Sequence, residues 1–64
     1  MYTVTTPWPH TAWQIVFPSL DRSTAMRQYG SRRYAMRIAH QLAQYGATAT
    51  VRDGDGKIVV LYKA

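Results

Sequence analysis

The fold of this chain is decided by the stretch Ser31-Arg-Arg-Tyr-Ala-Met-Arg-Ile-Ala-His-Gln-Leu-Ala-Gln-Tyr45-Gly46. Its apolar residues recur at i, i+3, i+4 and i+7, the spacing that places side chains on one face of an α-helix: Ala35, Ile38, Ala39 and Leu42. Ser31 is a favourable N-cap because its hydroxyl can accept a free backbone N–H, and Gly46 can adopt the positive φ that ends a helix. The stretch therefore predicts a helix with one buried face.

The opposite face of this helix is predicted to be polar and exposed. At 100° per residue it carries Arg33, Arg37, His40 and Gln44. Arginine accounts for six of the eight basic residues in the chain, and its planar guanidinium suits phosphate and carboxylate better than a lysine ammonium does. The helix therefore combines a packing face with a basic face.

The first turn of the helix departs from the usual charge preference. Arg32 and Arg33 lie where the helix dipole is positive, at a cost of about 0.3–1 kcal/mol each. With Gly30, Ser31 and the free N–H groups they would form a site for a phosphate or for a partner's carboxylate. The alternatives are two solvated arginines, or one arginine paired with Asp21.

The segment before residue 12 is predicted to be extended. Tyr2-Thr3-Val4-Thr5 alternates as a short edge strand does, and residues 1–11 form either that strand or an irregular extended segment. Pro7-Trp8-Pro9 is stiff because each proline restricts its own φ and the residue before it. Such a tryptophan is either a ligand for an aromatic groove in another protein or, as we favour, packed on its own domain.

Two further strands are predicted before the helix. Ala12 to Phe17 alternate as a strand, with Trp13, Ile15 and Phe17 on one side. A loop follows from Pro18 to Ser23. Thr24 to Tyr29 form either a second strand of a hairpin or an irregular turn into the helix, and the strand is favoured because Gly30 leads directly to Ser31.

A hairpin is predicted after the helix. The first strand runs over residues 47–52 and points its small apolar residues inward: Ala47, Ala49 and Val51. Asp53-Gly-Asp-Gly56 is a strong turn signal between two alternating runs. The second strand, Lys57 to Tyr62, is apolar on both sides, with Ile58, Val60 and Tyr62 on one and Val59 and Leu61 on the other. A strand of this kind is central, or something covers its second face.

Together these elements predict one α+β domain over residues 1–64, a small antiparallel sheet of three or four strands with one helix packed across one face. Alanines 35, 39 and 43 let the helix axis approach the sheet closely. The pattern Ser31-x-x-x-Ala35-x-x-x-Ala39-x-x-Leu42-Ala43, followed by a glycine, a strand and Asp55-Gly-Lys-Ile-Val59, resembles short strand–strand–helix–strand–strand domains of unknown function in bacteria. It is also similar in plan to small phage-encoded inhibitors, including anti-CRISPR proteins. This resemblance implies an architecture and carries no functional site.

Composition argues against several classes of function. The chain has 64 residues, a formal charge of +5 and no cysteine, so no disulfide or thiolate metal site is available. A domain this small buries only about 60% of its unfolded surface and has little core for an internal ligand. The three aspartates and two histidines suggest no acid–base pair, calcium loop or zinc site. We therefore predict a protein that is not an enzyme and needs no metal or cofactor.

The sequence also argues against a membrane protein. No apolar run approaches the roughly 18 residues of a membrane span. The first nine residues lack the basic segment and apolar block of a secretory signal, and the apolar stripe of the helix is mostly alanine, which inserts weakly into lipid. A cytoplasmic location is expected.

The basic helix supports two hypotheses about function. The first is binding of nucleic acid or a nucleoprotein, with Tyr29 or Tyr34 as stacking surfaces. The second is a phage-type inhibitor that blocks a protein complex, its arginines meeting acidic side chains, while the apolar last strand provides a docking face or a homodimer contact through the sheet. Both hypotheses use the same candidate residues: Arg27, Ser31, Arg32, Arg33, Arg37, His40 and Gln44.

Overall fold

The computed structural model describes residues 1–7 and 11–64. Four strands form one antiparallel sheet in the order β2-β1-β3-β4, and one long helix packs across it, which confirms the predicted α+β architecture. The prediction for Trp8 lies outside the described residues. In chain order the elements are β1 (Tyr2–Thr5), α1 (Ala12–Val16), β2 (Met26–Tyr29), α2 (Arg32–Gln44), β3 (Ala49–Arg52) and β4 (Ile58–Tyr62).

The helix α2 forms as predicted. The hydroxyl of Ser31 accepts a hydrogen bond from the backbone N–H of Tyr34 at 3.2 Å, which confirms the N-cap. At the other end Gly46 has φ of 96°, and the N–H of Ala47 bonds back to the carbonyl of Leu42 at 3.1 Å. The four residues of the predicted packing face are all buried: Ala35, Ile38, Ala39 and Leu42.

The strand β1 exists, but it is not an edge strand. It pairs with β2 on one side and with β3 on the other, so Val4 lies opposite both Arg27 and Val51. The alternation of Tyr2-Thr3-Val4-Thr5 predicts that one face of the strand is buried. It does not predict whether one or both edges of the strand pair with a neighbour. Val4 is fully buried beneath α2, while Thr3 and Thr5 occupy the opposite, open face of the sheet.

The prediction of a strand over Ala12–Phe17 is wrong, because residues Ala12–Val16 form the short helix α1. The carbonyl of Thr11 accepts hydrogen bonds from the N–H groups of Gln14 and Ile15, at 3.0 and 3.2 Å. Trp13 is fully buried, and its indole nitrogen donates to the hydroxyl of Thr6 at 2.7 Å. A short apolar run is compatible with either periodicity, and here the helical one forms.

The strand β2 confirms the favoured interpretation of Thr24–Tyr29. Its pairing partner is β1, however. The pairing of these two strands continues one residue beyond them, where the N–H of Thr6 donates to the carbonyl of Ala25 at 2.9 Å. The hairpin predicted between β2 and residues 12–17 therefore does not form, since those residues are helical.

The hairpin of β3 and β4 forms with its turn where predicted. Ala47, Ala49 and Val51 are buried, and Gly56 in the turn has φ of 82°. The carboxylate of Asp53 accepts hydrogen bonds from the N–H groups of residues 55 and 57, at 2.9 and 3.0 Å. These local bonds fix the turn.

The strand β4 lies at the edge of the sheet, so the prediction of a central position is wrong. An irregularity in its pairing makes Arg52 face Ile58 while Val51 faces Val60, which places Ile58 on the open side. Ile58 and Leu61 are 56% and 46% exposed. Val59 packs against the core together with Val60 and Tyr62, contrary to the strict alternation expected from the sequence.

The predicted cover for the second face of β4 is also absent from the described part of the chain. Residues Tyr2–Thr5 do not supply that cover, because they belong to the sheet itself as β1. Helix α2 packs on the opposite face of the sheet, and α1 packs beside α2. The sheet therefore has one face buried under helices and one open face.

Replacing Thr6 by valine tests the hydrogen bond that anchors α1. The side chains have nearly the same shape, but the buried indole N–H of Trp13 would lose its acceptor, which costs about 1–3 kcal/mol. We expect the free energy of unfolding, measured in urea, to fall by that amount.

The control is Thr5→Val, one residue earlier, at the last residue of β1 and on the open face of the sheet. It should change the unfolding free energy by no more than about 0.5 kcal/mol. Equal losses from both variants would show that the effect comes from β1 and not from the anchor of α1.

Candidate functional site

The outer face of α2 carries the predicted basic residues, and all four members are exposed: Arg33, Arg37, His40 and Gln44. They occupy every turn of the helix on the side opposite Ala35 and Leu42. The rise from Arg33 to His40 is about 10 Å, at 1.5 Å per residue. We call this surface the basic face. Its arrangement follows directly from helical spacing and from burial of the alanines.

The carboxylates of the chain lie away from the helices and strands. Asp21 is in the loop before β2, and Asp53 and Asp55 are in the turn between β3 and β4. Hydrogen bonds from the Ser23 side chain and backbone, both 2.7 Å long, hold the pKa of Asp21 below its usual value. Asp53 likewise bonds to its own turn. The basic face therefore has no acidic residue on its own helix to neutralise it.

The first turn of α2 presents Arg32 and Arg33 to solvent beside the cap. The oxygen atoms of Ser31 are engaged with the N–H groups of residues 34 and 35. Asp21 bonds to Ser23, and within residues 1–7 and 11–64 it makes no ion pair with Arg32 or Arg33. The two arginines are therefore solvated, and Ser31 acts as a cap residue.

Arg27 lies beside the basic face and not on it. It belongs to β2, and its guanidinium carbon lies 5.4 Å from the ring centre of Phe17 and 5.8 Å from that of Tyr29. Both distances fit cation–π contacts. The exposed Arg27 is thus held at the sheet edge by two aromatic rings, which limits its reach toward α2.

His40 lies on the side of the basic face that is next to β4. Its ring centre lies 5.3 Å from that of Tyr62 on β4, with the planes tilted by 44°. The imidazole packs against the tyrosine ring and is also exposed to solvent. His40 therefore marks the border between α2 and the β4 edge.

The two tyrosines predicted as stacking surfaces pack against each other. The rings of Tyr29 and Tyr34 meet edge to face, with centres 5.2 Å apart. The hydroxyl of Tyr29 is buried without a hydrogen-bond partner among the described residues, and this burial raises its pKa above the usual value. Tyr34 keeps 42% of its surface exposed, so it is the accessible member of the pair.

A groove between α1 and α2 contains four residues that were not predicted to be functional, together with Gln44, which was. It has a volume of about 240 Å³ and is lined by Ile15, Val16, Gln41, Gln44 and Tyr45. Tyr45 is 53% exposed, and Ile15, on the opposite helix, is 50% exposed. The sequence did not indicate the groove, because residues 12–17 were predicted to form a strand and no second helix was expected beside α2.

The groove adjoins the basic face. Gln44 belongs to both surfaces, and Gln41 follows Arg37 by one helical turn. A ligand seated between the helices would therefore have guanidinium groups next to it on α2. This continuity links a neutral, partly aromatic groove to a cationic surface.

Other kinds of site are not found in the part of the chain that the structure describes. No three histidine, aspartate or other metal-ligating side chains come together there. None of the described helices has the length and apolar character needed to cross a membrane.

Comparisons with protein-family models, with curated proteins and with solved structures find no match.

Replacing Tyr29 by phenylalanine tests the buried hydroxyl. Its raised pKa means that the folded state holds the proton more tightly than the unfolded state does, so Tyr29 contributes stability below its unfolded pKa, about 10. This contribution is lost as the pH rises through the folded pKa. We expect Tyr29→Phe to lessen the fall in melting temperature at alkaline pH without destabilising the protein at pH 7.

The matched control is Tyr45→Phe, which removes an exposed hydroxyl from α2's end. Its melting temperature should follow that of the wild type at each pH. A loss of stability in Tyr29→Phe at pH 7 would contradict the absence of a hydrogen-bond partner.

Proposed function

We propose that this chain is a non-enzymatic binding protein whose basic face contacts the phosphate backbone of a nucleic acid, free or within a nucleoprotein. The observation that carries the proposal is the charge distribution. Arg33 and Arg37 are exposed on one side of α2, and every carboxylate of the chain lies in a loop or turn. Exposed cations without acidic partners favour a polyanion, since binding releases the polyanion's counterions.

The spacing of the basic face supports a contact with three to four phosphates. Arg33, Arg37 and His40 span an axial length of about 10 Å and offer one contact each to the phosphates of one strand. Arg32 at the helix start would add a fourth contact. Because helix geometry fixes the positions, little ordering of the backbone is needed on binding.

The double variant Arg33→Glu with Arg37→Glu tests the basic face. Both side chains are exposed, so we expect the melting temperature to change little and the affinity for random-sequence DNA and RNA to fall at least tenfold. Wild-type affinity should decrease with salt with a log–log slope near −3, and the variant slope should be near −1. Fluorescence anisotropy between about 50 and 200 mM salt measures both slopes.

The control for net charge is Lys57→Glu with Lys63→Glu, which makes the same change at the two ends of β4. It should retain most of the affinity, because those lysines lie off the basic face. Absent or millimolar binding of wild type at the lower salt concentration would reject the nucleic-acid proposal. A large loss of melting temperature in the arginine variant would instead give those arginines a structural role.

The open face of the sheet favours a second candidate, a phage-type inhibitor that acts by protein–protein contact. Exposed apolar side chains lie on this face at both edges of the sheet: Met26 on β2, and Ile58 and Leu61 on β4. Ile58 and Leu61 lie on the same strand, and a shared apolar patch there favours contact with a protein partner or with a second copy of the chain, whereas Met26 lies on the other edge strand. In this version the arginines of α2 would meet acidic side chains of the blocked complex.

Replacing Ile58 and Leu61 by threonine tests the homodimer form of this candidate. Threonine keeps β propensity, so the fold should persist, while apolar surface is removed from the open face. Sedimentation equilibrium should show a wild-type dimer that dissociates in the variant. A wild type that stays monomeric at high concentration would contradict self-association through the sheet.

A further inference from the structure

We infer that the groove between α1 and α2 receives one unpaired nucleobase, so that the ligand of the basic face is a single-stranded nucleic acid. This inference rests on the proposed function and specifies its substrate class. It is carried by two observations: the groove has walls suited to a base, and it opens beside the arginines that would hold the adjoining phosphates.

The walls of the groove offer stacking and hydrogen bonding together. Tyr45, the residue that follows α2, and Ile15 of α1 have large side chains, each about half exposed, and both line the groove. The ring of Tyr45 supplies a surface for a base, since every base has a π-face. The amides of Gln41 and Gln44 can donate to or accept from the polar edge of a base.

The volume of the groove limits what fits. Its 240 Å³ is small for a drug-sized ligand, because such pockets span about 300–1,000 Å³. A single planar base is a much smaller group. The groove lies between side chains without formal charge, so the phosphates of the ligand would remain outside it, at the basic face.

The position of the groove on α2 determines where those phosphates lie. Gln41 follows Arg37 by four residues, and Gln44 is itself on the basic face. A base seated against Tyr45 therefore leaves its backbone running along α2 toward Arg37 and Arg33. A duplex keeps its bases stacked and paired, so a base would enter the groove only at the cost of opening a pair. Single strands avoid that cost.

The test compares three fluorescein-labelled probes of equal length by anisotropy: a single-stranded oligonucleotide, the corresponding duplex, and a single strand of abasic deoxyribose phosphates. Wild type should bind the base-containing single strand most tightly. Tyr45→Ala should lower that affinity about tenfold, as loss of one stacked base does, and leave the abasic strand and the duplex unaffected. Tyr45→Phe, which keeps the ring, should behave as wild type.

The double variant Arg33→Glu with Arg37→Glu tests the phosphate contacts separately, because it should lower the affinity for all three probes. If Tyr45→Ala affects the abasic and base-containing strands equally, the groove holds no base and the inference is overturned, while phosphate binding by α2 stands. Equal wild-type affinity for all three probes would also overturn the inference and leave phosphate binding by α2 in place. If wild type binds none of them, the proposed function fails and this inference fails with it.

Discussion

Close packing of alanines against the sheet is the contact on which the rest of this structure depends. Ala35 and Ala39 are fully buried where α2 crosses β1 and β3, opposite the equally buried Val4 and Val51. Small side chains let the helix axis approach the strands, and Leu42 fills the space beside them. Once that face is buried, helical geometry directs the arginines outward, so the same periodicity builds the core and the basic face.

The elements that sequence analysis predicted correctly are those that carry their own local signals. Helix α2 has a helical period, a serine cap and a terminal glycine, and the turn at 53–56 has side-chain bonds within four residues. Helix α1 has no such signals. Its stability comes from Trp13, which reaches Thr6 and the core of the domain. A contact of this kind depends on tertiary structure, which a six-residue apolar run does not reveal.

The candidate site likewise has one part that local sequence signals predict and one part that they do not. The basic face lies on one helix, so spacing alone was enough to identify its members. The groove is formed by two helices. It could not be predicted, because residues 12–17 were expected to form a strand. The β4 edge shows the same limit: alternation places side chains on faces, but one irregularity beside Arg52 moves Ile58 to the open side. Pairing partners and bulges are properties of the assembled sheet.

The size of the domain explains why its candidate binding surfaces are external. Its buried hydrophobic cluster is filled by Trp13, by the small residues of α2 and by the strands, which leaves the described core to packing alone. Exposed arginines cost little where water solvates them, so a basic face can be added to such a domain without weakening its core. The aspartates follow the complementary rule, because they serve turns where their oxygens accept backbone N–H groups. Separating charges in this way leaves a cationic surface on one side of the domain, with no carboxylate on the helix that carries it.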